Sequence, residues 1–253
     1  VVVFTYIMLC LIWGSTWIAI KIGLSDAPPL ITAAVRFTLA SAILAGIAAA
    51  KGYRYPTEYK KIFRLGYPGL YTYGASYALV YFAEQYIDSA LTAVLFGAYP
   101  FFVAILTWVR YQNEKLGLVA WLGMVVGFAG VVLISLDSVQ TSGDMLLGVV
   151  LAVIAPFVAA WGIVIHKKHF TGENIVVAAN VQMVFGGIPL ILAAMIFESW
   201  SDFNVTAESV GSIVYLATFG TVATFLGYYW LLRRIKLTTV SLVAFITPLV
   251  AIF

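Results

Sequence analysis

Long apolar runs separated by short polar connections dominate the pattern of this chain. Most runs are close to the roughly 20 residues that an α-helix needs to cross about 30 Å of hydrocarbon. They are unalternating and rich in Leu, Ala and Val, which indicates helices rather than strands. The pattern predicts nine membrane helices, at about residues 2–23, 29–50, 62–84, 89–110, 117–136, 145–166, 176–197, 210–232 and 238–253.

The composition also predicts a membrane environment. Apolar residues make up 63% of the 253 residues and charged residues only 10%, and the mean hydropathy is +1.01, whereas a soluble domain carries roughly 25% charged residues. We therefore expect an all-α polytopic membrane protein that is embedded in the lipid bilayer, and the net charge of +3 is not a signal for nucleic acid. The single cysteine, Cys10, excludes an intrachain disulfide and a cysteine-based metal site.

The distribution of charge predicts the orientation. Every Lys and Arg other than Lys21 and Arg36 lies in or beside the connections that follow the second, fourth, sixth and eighth runs. The remaining connections carry acidic residues, among them Asp26, Asp88 and Glu198. By the positive-inside rule the basic connections are cytoplasmic, so we expect a cytoplasmic N-terminus.

The chain repeats part of itself at an offset of 148 positions. The second helices, in which Arg36 and Gln182 correspond, need a slip of two residues. We infer an internal duplication with a first five-helix repeat at residues 1–136 and a second at residues 145–253. The shift places Trp13, Gly14, Ala75, Tyr81, Ile87 and Pro100 on Trp161, Gly162, Ala223, Tyr229, Ile235 and Pro248.

Five crossings separate the two copies, so the repeats enter the membrane from opposite sides. Inverted repeats of this kind in transporters meet at a site near the midplane, and rocking one repeat against the other exposes that site alternately to each side. A duplication that merely enlarged a helical bundle is the alternative. We favour transport because polar residues lie on corresponding helices of the two copies.

Four segments resemble the EamA branch of the drug/metabolite transporter (DMT) superfamily. They are LIWGSTWIAIK, PPLITAAVRF, AEQYIDSALTAVLFGAYPFFVAIL and GMVVGFAGVVLI, which together reach from the first helix to the fifth. The resemblance implies two repeats of five helices, so we expect a tenth helix that this chain lacks, along with the end of the ninth. It also implies export of small metabolites, often amino acids, and a place in the plasma membrane of a bacterium or an archaeon.

Aromatic and hydroxyl side chains near the middle of the helices are candidates for the substrate site. Tyr73, Tyr77 and Tyr81 follow a spacing of four and therefore share one face of the third helix. Such rings suit a ligand with an apolar body and a polar or cationic head, and buried phenols need partners. The candidate substrate-binding residues are Trp13, Thr16, Trp17, Tyr73, Tyr77, Tyr81, Phe96, Tyr99, Trp161, Thr224 and Tyr228.

A second group of residues is assigned to gating or structure. Gly14 permits close approach of another helix, and Pro100 and Pro248 remove backbone hydrogen bonds and bend their helices.

Asn180 is read as a hydrogen-bonding contact between helices, alongside the second amide of the seventh helix, Gln182. His166, beside several lysines, is read as part of a solvated basic face.

Three ionisable residues lie within the predicted spans. Lys21, Arg36 and Glu84 all lie in the half of the membrane away from the basic connections. An ion-paired cluster of the three is geometrically possible there. The alternative is that Lys21 and Glu84 reach water separately. We favour a structural or gating role for Arg36 over direct substrate binding. No acid lies at the centre of a span, so proton antiport, exchange and facilitated diffusion all stay open.

Taken together, the sequence predicts a secondary transporter that exports small metabolites, amino acids or related amphipathic compounds first among them, by alternating access. A multidrug or organic-cation efflux carrier is the runner-up, and a channel or a membrane enzyme is a weaker alternative. We expect no enzyme activity and no cofactor, because the spans hold neither a nucleophile–base set nor a metal site. A glycine stripe, Gly123, Gly127 and Gly130, is suited either to internal packing or to a homodimer.

Overall fold

The computed structural model describes residues 1–111, 117–135, 145–169 and 172–252, and within these ranges the regular structure is helical, without strands. Five of the predicted spans are single α-helices. They are α1 (Val2–Leu24), α2 (Pro29–Ala50), α5 (Leu118–Ser135), α6 (Met145–His169) and α7 (Ile175–Phe197).

The other four spans are interrupted. The α4 helix comprises Ser89–Phe96 and Tyr99–Arg110, and its break falls just before Pro100, as expected for a residue without a backbone N–H. The α9 helix comprises Leu237–Ser241 and Val243–Ile252, with Pro248 inside the second piece.

The α3 and α8 helices each contain a π-helical segment. In α3 the pieces are Tyr59–Gly66, the π-helix Leu70–Ala75 and Ser76–Ala83. In α8 they are Ala207–Ala217, the π-helix Thr218–Ala223 and Thr224–Leu232. The two π-helices lie 148 positions apart, which is the offset of the sequence repeat. Wide turns of this kind often occur at functional sites, so α3 and α8 locate the region of interest.

Six helices of the described ranges, α1, α2, α4, α6, α7 and α8, are long and apolar enough to cross a membrane. The predicted fold class, an all-α polytopic membrane protein, is therefore confirmed. Alternate crossing places the basic connections on one face of the molecule, which we call the basic face, and acids such as Asp26, Asp88 and Glu198 on the other, the acidic face. Lys115, Asp137 and Asp144 lie outside the described residues.

Hydrogen bonds tie the two halves together at the acidic face. The Glu198 carboxylate, at the end of α7, accepts hydrogen bonds from the backbone N–H groups of Leu30 (2.9 Å) and Ile31 (2.8 Å). These amides open α2 and have no partner within the helix, so an acid from the other half caps it. Thr206, which caps α8, donates to the Asp26 carboxylate at 2.6 Å.

A second set of contacts fixes the connection between α2 and α3 at the basic face. The Tyr55 hydroxyl donates to Asn180 Oδ1 at 2.9 Å, and Asn180 Nδ2 donates to the Ser41 carbonyl at 2.8 Å. Burial raises the pKa of Tyr55, so its phenol stays protonated and remains a donor. The predicted role of Asn180 as a contact between helices is confirmed, and a Lys61–Glu173 ion pair of 2.6 Å lies nearby.

The main helix contacts join the first half of the chain to the second: α2 packs on α7, α1 on α8 and α9, and α3 and α4 on α6. Small residues make the closest of these approaches possible. A β-carbon at Gly69 would overlap the backbone of Gln182, and one at Gly14 would overlap Val250. The structural reading of Gly14 is thus supported by its contact with α9. The core lies between the two halves rather than within either one.

Candidate functional site

A central cavity of about 100 Å³ lies between the two halves. Of the candidate substrate-binding residues, seven line it: Trp13, Thr16, Trp17, Tyr77, Phe96, Tyr99 and Tyr228. Further lining side chains include Thr72, Ser76, Phe225, Ser241 and Thr247. Helices α1, α3, α4, α6, α8 and α9 all contribute, so the cavity depends on both halves.

Aromatic rings form much of its wall. The Trp13 ring centroid lies 5.4 Å from that of Phe225 and 5.3 Å from that of Tyr228. Phe96 stacks on Tyr99 at 5.8 Å, and the hydroxyls of Tyr99 and Tyr228 are 3.0 Å apart. These contacts connect α1, α4 and α8 around the cavity.

Two polar atoms of the lining have no hydrogen-bond partner among the described residues. They are the indole nitrogen Trp13 Nε1 and the hydroxyl oxygen Thr72 Oγ1, and both are buried. A buried donor without a partner is costly and therefore uncommon. The indole N–H can only donate, so the cavity offers donor capacity to an acceptor group on a ligand.

Toward the basic face, one boundary of the cavity is a polar group that we call the basic-side cluster: His166, Gln182, Tyr73 and Tyr229. The Tyr229 hydroxyl donates to Gln182 Oε1 at 2.9 Å and lies 2.7 Å from the Tyr73 hydroxyl. Because Tyr229 has one proton, Tyr73 is the donor in the second bond. The cluster joins α3, α6, α7 and α8.

His166 belongs to the same cluster. Its Nδ1 lies 2.5 Å from Gln182 Nε2, and its ring stacks on Tyr229 with centroids 4.3 Å apart. The amide nitrogen can only donate, so Nδ1 is the acceptor, and this hydrogen-bond pattern assigns the histidine a proton on Nε2 if it is neutral. The imidazole is thereby held by α7 and α8.

Toward the acidic face, a second group borders the cavity, the acidic-side cluster of Arg36, Tyr81, Gly220 and Thr221. Arg36 Nε donates to Thr221 Oγ1 at 2.9 Å, Nη2 to the Gly220 carbonyl at 3.2 Å, and Nη1 to the Tyr81 hydroxyl at 3.4 Å. The guanidinium also lies over the ring of Tyr77, with its Cζ 4.8 Å from the centroid. The cluster joins α2, α3 and the π-helix of α8.

The two clusters occupy corresponding positions in the two halves. Arg36 is seven residues after the first residue of α2, and Gln182 is seven after the first residue of α7. Tyr81 and Tyr229 are 148 positions apart, as are Tyr73 and Thr221. Each cluster therefore combines a polar side chain from the second helix of one half with groups from α3 and α8. The first residues of α2 and α7 are 146 positions apart. This spacing is two residues shorter than the repeat offset of 148, which accounts for the slip.

Four candidate residues do not line the cavity. Tyr73 and Tyr81 belong to the clusters instead. Thr224 is buried and donates to the Gly220 carbonyl of its own helix at 2.9 Å. Trp161 is 44% exposed on the outer surface of α6, although its counterpart Trp13 lines the cavity. The neighbouring Gly162 packs against Thr72 of α3, which turns Trp161 away from the interior.

The ion-paired cluster considered for Lys21, Arg36 and Glu84 does not form. Lys21 pairs instead with Asp88 at 3.3 Å on the surface. Glu84 Oε2 accepts a hydrogen bond from Ser89 at 2.6 Å, and Arg36 bonds the neutral groups described above. The three side chains thus serve separate contacts.

His166 was assigned to a solvated surface, and that assignment is wrong, since the residue is 1% exposed. Proximity to Lys167 suggested the surface reading. The helical period gives the better signal, because Ala159, Ile163 and His166 share one face of α6, and the first two line the cavity.

Comparison with known proteins agrees with this geometry. A family model described as the EamA-like transporter family matches residues 1–136 and 146–253. "Uncharacterized transporter YoaV" of Bacillus subtilis (strain 168) is 28% identical over 98% of this chain and 85% of its own length. "Uncharacterized inner membrane transporter YedA" of Escherichia coli (strain K12) is 27% identical over 96% of this chain and 78% of its own.

The fold also matches a solved structure described as "Crystal structure of protein". The TM-score is 0.79 at 14% sequence identity, and the match covers 99% of this chain and 85% of that chain. At this identity the likeness shows a shared fold. The family model covers both halves of the chain, and from it we conclude that this protein is a membrane transporter of the EamA-like family, in the drug/metabolite transporter superfamily.

Proposed function

We propose that the protein is a secondary transporter that exports small amphipathic metabolites, amino acids or related compounds first among them, by alternating access. The observation that carries this proposal is the pair of corresponding polar clusters on either side of one cavity. Opening one cluster while the other stays closed would expose the cavity to one face at a time. Both clusters join helices of different halves, so a rocking motion of the halves acts on them directly.

The chemistry of the lining supports a ligand with an apolar body and a polar head. Aromatic rings form much of the wall, and Trp13 Nε1 and Thr72 Oγ1 supply polar atoms without partners among the described residues. The cavity volume of about 100 Å³ is below the roughly 300 Å³ at which ligand pockets begin. The cavity must therefore expand when it binds a metabolite, and opening of one cluster provides that expansion.

The distribution of charge supports the orientation that we propose. With the basic face in the cytoplasm, the N-terminus of α1 is cytoplasmic and the acidic face is external. Export then takes a substrate past the basic-side cluster first and the acidic-side cluster second. We place the protein in the plasma membrane of a bacterium or an archaeon.

An organic-cation efflux carrier is the second candidate. The aromatic wall, in which the Trp13 ring contacts the rings of Phe225 and Tyr228, favours it because such faces attract cations. The buried guanidinium of Arg36 in the adjoining cluster disfavours it, since like charges repel strongly where water is scarce.

Exchange transport tests the proposal. The full-length protein is reconstituted into proteoliposomes and assayed with labelled neutral and aromatic amino acids, with and without a pH gradient. We expect saturable uptake that unlabelled substrate inside the vesicles stimulates, because a carrier returns faster when it is loaded. Uptake that neither saturates nor responds to internal substrate would indicate a channel and contradict the proposal.

A further inference from the structure

Arg36 is a buried cation that has no acidic side chain within 4 Å among the described residues. The residue is 1% exposed, and its hydrogen bonds go to two hydroxyls and a backbone carbonyl, all of them neutral. Among the described residues the ion pairs are Lys21–Asp88 and Lys61–Glu173, and neither involves Arg36. An uncompensated buried charge is costly, so a structure that keeps one usually uses it.

Closing the cluster does not require a charge. The corresponding residue of the other half is Gln182, a neutral amide that accepts a hydrogen bond from Tyr229, whereas Arg36 donates one to Tyr81. The basic-side cluster is complete with this neutral side chain. The positive charge of Arg36 therefore needs a reason other than the hydrogen bonds that hold two helices together.

The guanidinium lies one side chain away from the cavity. Tyr77, whose ring is 4.8 Å from Arg36 Cζ, lines the cavity, and so does Thr16. At Gly220 a β-carbon would lie 2.8 Å from the Thr16 methyl and 3.5 Å from Arg36 Nη2. Glycine at this position keeps the space between the cavity wall and the guanidinium free of a side chain.

The Arg36 guanidinium has more N–H donors than the hydrogen bonds given above for it use within the described residues. A guanidinium has five N–H groups, and three of those of Arg36 are used in hydrogen bonds within the described residues. Trp13 Nε1 adds a further donor in the cavity lining without a partner in that part of the chain. A group that only accepts hydrogen bonds and carries negative charge is complementary to such donors, and a carboxylate is the common group of that kind in metabolites.

Against the expectation from the sequence, which favoured a structural or gating role alone, we propose that Arg36 is also the receptor for a carboxylate of the transported substrate, so that the protein carries carboxylate-bearing compounds with an apolar body. The inference rests on the proposed transport function and names the substrate class of the same cavity. As the acidic-side cluster opens, the carboxylate replaces the neutral acceptors and pairs with the fork of the guanidinium, which matches its two oxygens. Arg36 then links substrate binding to the state of that cluster.

Three probes that share a phenyl ring and a short alkyl chain test this assignment. Phenylalanine carries a carboxylate and an ammonium group, 3-phenylpropionate only the carboxylate, and 2-phenylethylamine only the ammonium group. In exchange assays with the full-length protein we expect both carboxylates to be carried at least about tenfold faster than 2-phenylethylamine, as the loss of a charged hydrogen-bonded pair predicts.

The variant Arg36→Gln introduces the residue type found at the corresponding position. We expect the ratio of the exchange rate of phenylalanine to that of 2-phenylethylamine to fall to about threefold or less, because the amide of the introduced glutamine makes only uncharged hydrogen bonds. Arg36→Lys should restore part of the ratio. Gln182→Met in the other cluster is the matched control, and we expect it to slow both probes alike and leave the ratio unchanged.

A measurement on the unaltered protein removes dependence on the folding of variants. We expect 3-phenylpropionate, but not 2-phenylethylamine, to raise the thermal unfolding temperature in detergent. Equal transport of the acid and the amine, an unchanged ratio in a folded Arg36→Gln variant, or stabilisation by the amine alone would each overturn the receptor role. If the protein exchanges only compounds that lack a carboxylate, this inference is overturned and the proposed transport function is not. If it exchanges no compound at all, the proposed function is overturned.

Discussion

Arg36 and Gln182 occupy corresponding positions, each seven residues after the first residue of its helix, and each is hydrogen-bonded to a tyrosine near the end of α3 or α8. Those tyrosines, Tyr81 and Tyr229, are themselves 148 positions apart. Two similar clusters, which act as closures in the proposed mechanism, therefore lie on opposite sides of one cavity. In that mechanism, a difference in strength between them determines which side opens more easily.

Loss of the Tyr229 hydroxyl should weaken the closure toward the basic face. Tyr229→Phe removes the bonds to both Gln182 and Tyr73 and leaves a buried amide oxygen without its partner. We expect the free energy of unfolding to fall by about 1–3 kcal/mol, measured by thermal or denaturant unfolding in detergent.

Tyr81→Phe is the matched comparison in the other half. Its bond to Arg36 is long, at 3.4 Å, and Arg36 keeps its bonds to Thr221 and Gly220. We expect a smaller loss, below about 1 kcal/mol. Equal losses for the two variants would contradict the idea that the closures differ in strength.

Trp13 and Trp161 occupy corresponding positions but should differ in function. Trp13 lines the cavity with an indole N–H that has no hydrogen-bond partner in the described part of the chain, whereas Trp161 is 44% exposed on the surface of α6. We expect Trp13→Phe to raise the KM for exchange by about tenfold, since it removes a donor and part of an aromatic contact. Trp161→Phe should leave KM within about twofold, because the Trp161 side chain is exposed on the outer surface and does not line the cavity. A larger effect at Trp161 would return that residue to the candidate site.

The crossing of α3 and α7 should tolerate no added side chain. A β-carbon at Gly69 would overlap the backbone of Gln182, which cannot rotate away as a side chain can. We expect Gly69→Ala to destabilise the protein by about 1–3 kcal/mol or more, measured as a lower unfolding temperature.

Gly46→Ala is the control for that substitution. Gly46 lies inside α2 with no atom within 4 Å of the added β-carbon. We expect stability to be unchanged or higher by up to about 1 kcal/mol, because alanine favours the helix. If both alanine variants were equally harmless, the close crossing of α3 and α7 would be in doubt.

The helical architecture was predictable because hydrophobic length is a direct physical requirement of a bilayer. The repeat offset likewise predicted that Tyr81 and Tyr229 correspond. The interruptions at Leu70–Ala75 and Thr218–Ala223 were not predictable from apolar runs, since a π-helix is as apolar as the α-helix around it. The division of the chain at residues 1–136 and 145–253 and the orientation remain predictions.

The lining of the cavity was predicted in part. Tyr77, Phe96 and Tyr99 were identified because aromatic and hydroxyl groups at helix centres need interior partners. Trp161 was assigned to the site because it corresponds to Trp13. That correspondence gives no information about the rotation of α6 against α3, which depends on the packing of Gly162. His166 was missed because its charged neighbours outweighed the helical period.

Access to the cavity from both faces is the central claim, and labelling of one cavity residue tests it most directly. Cys10 is the only cysteine, so Cys10→Ser gives a background in which Ser76→Cys places a single thiol in the lining. An impermeant maleimide is applied to each face of sealed, oriented vesicles. The account predicts labelling from both faces and slower labelling when substrate is present, whereas reaction from one face alone in a transport-active protein would contradict it.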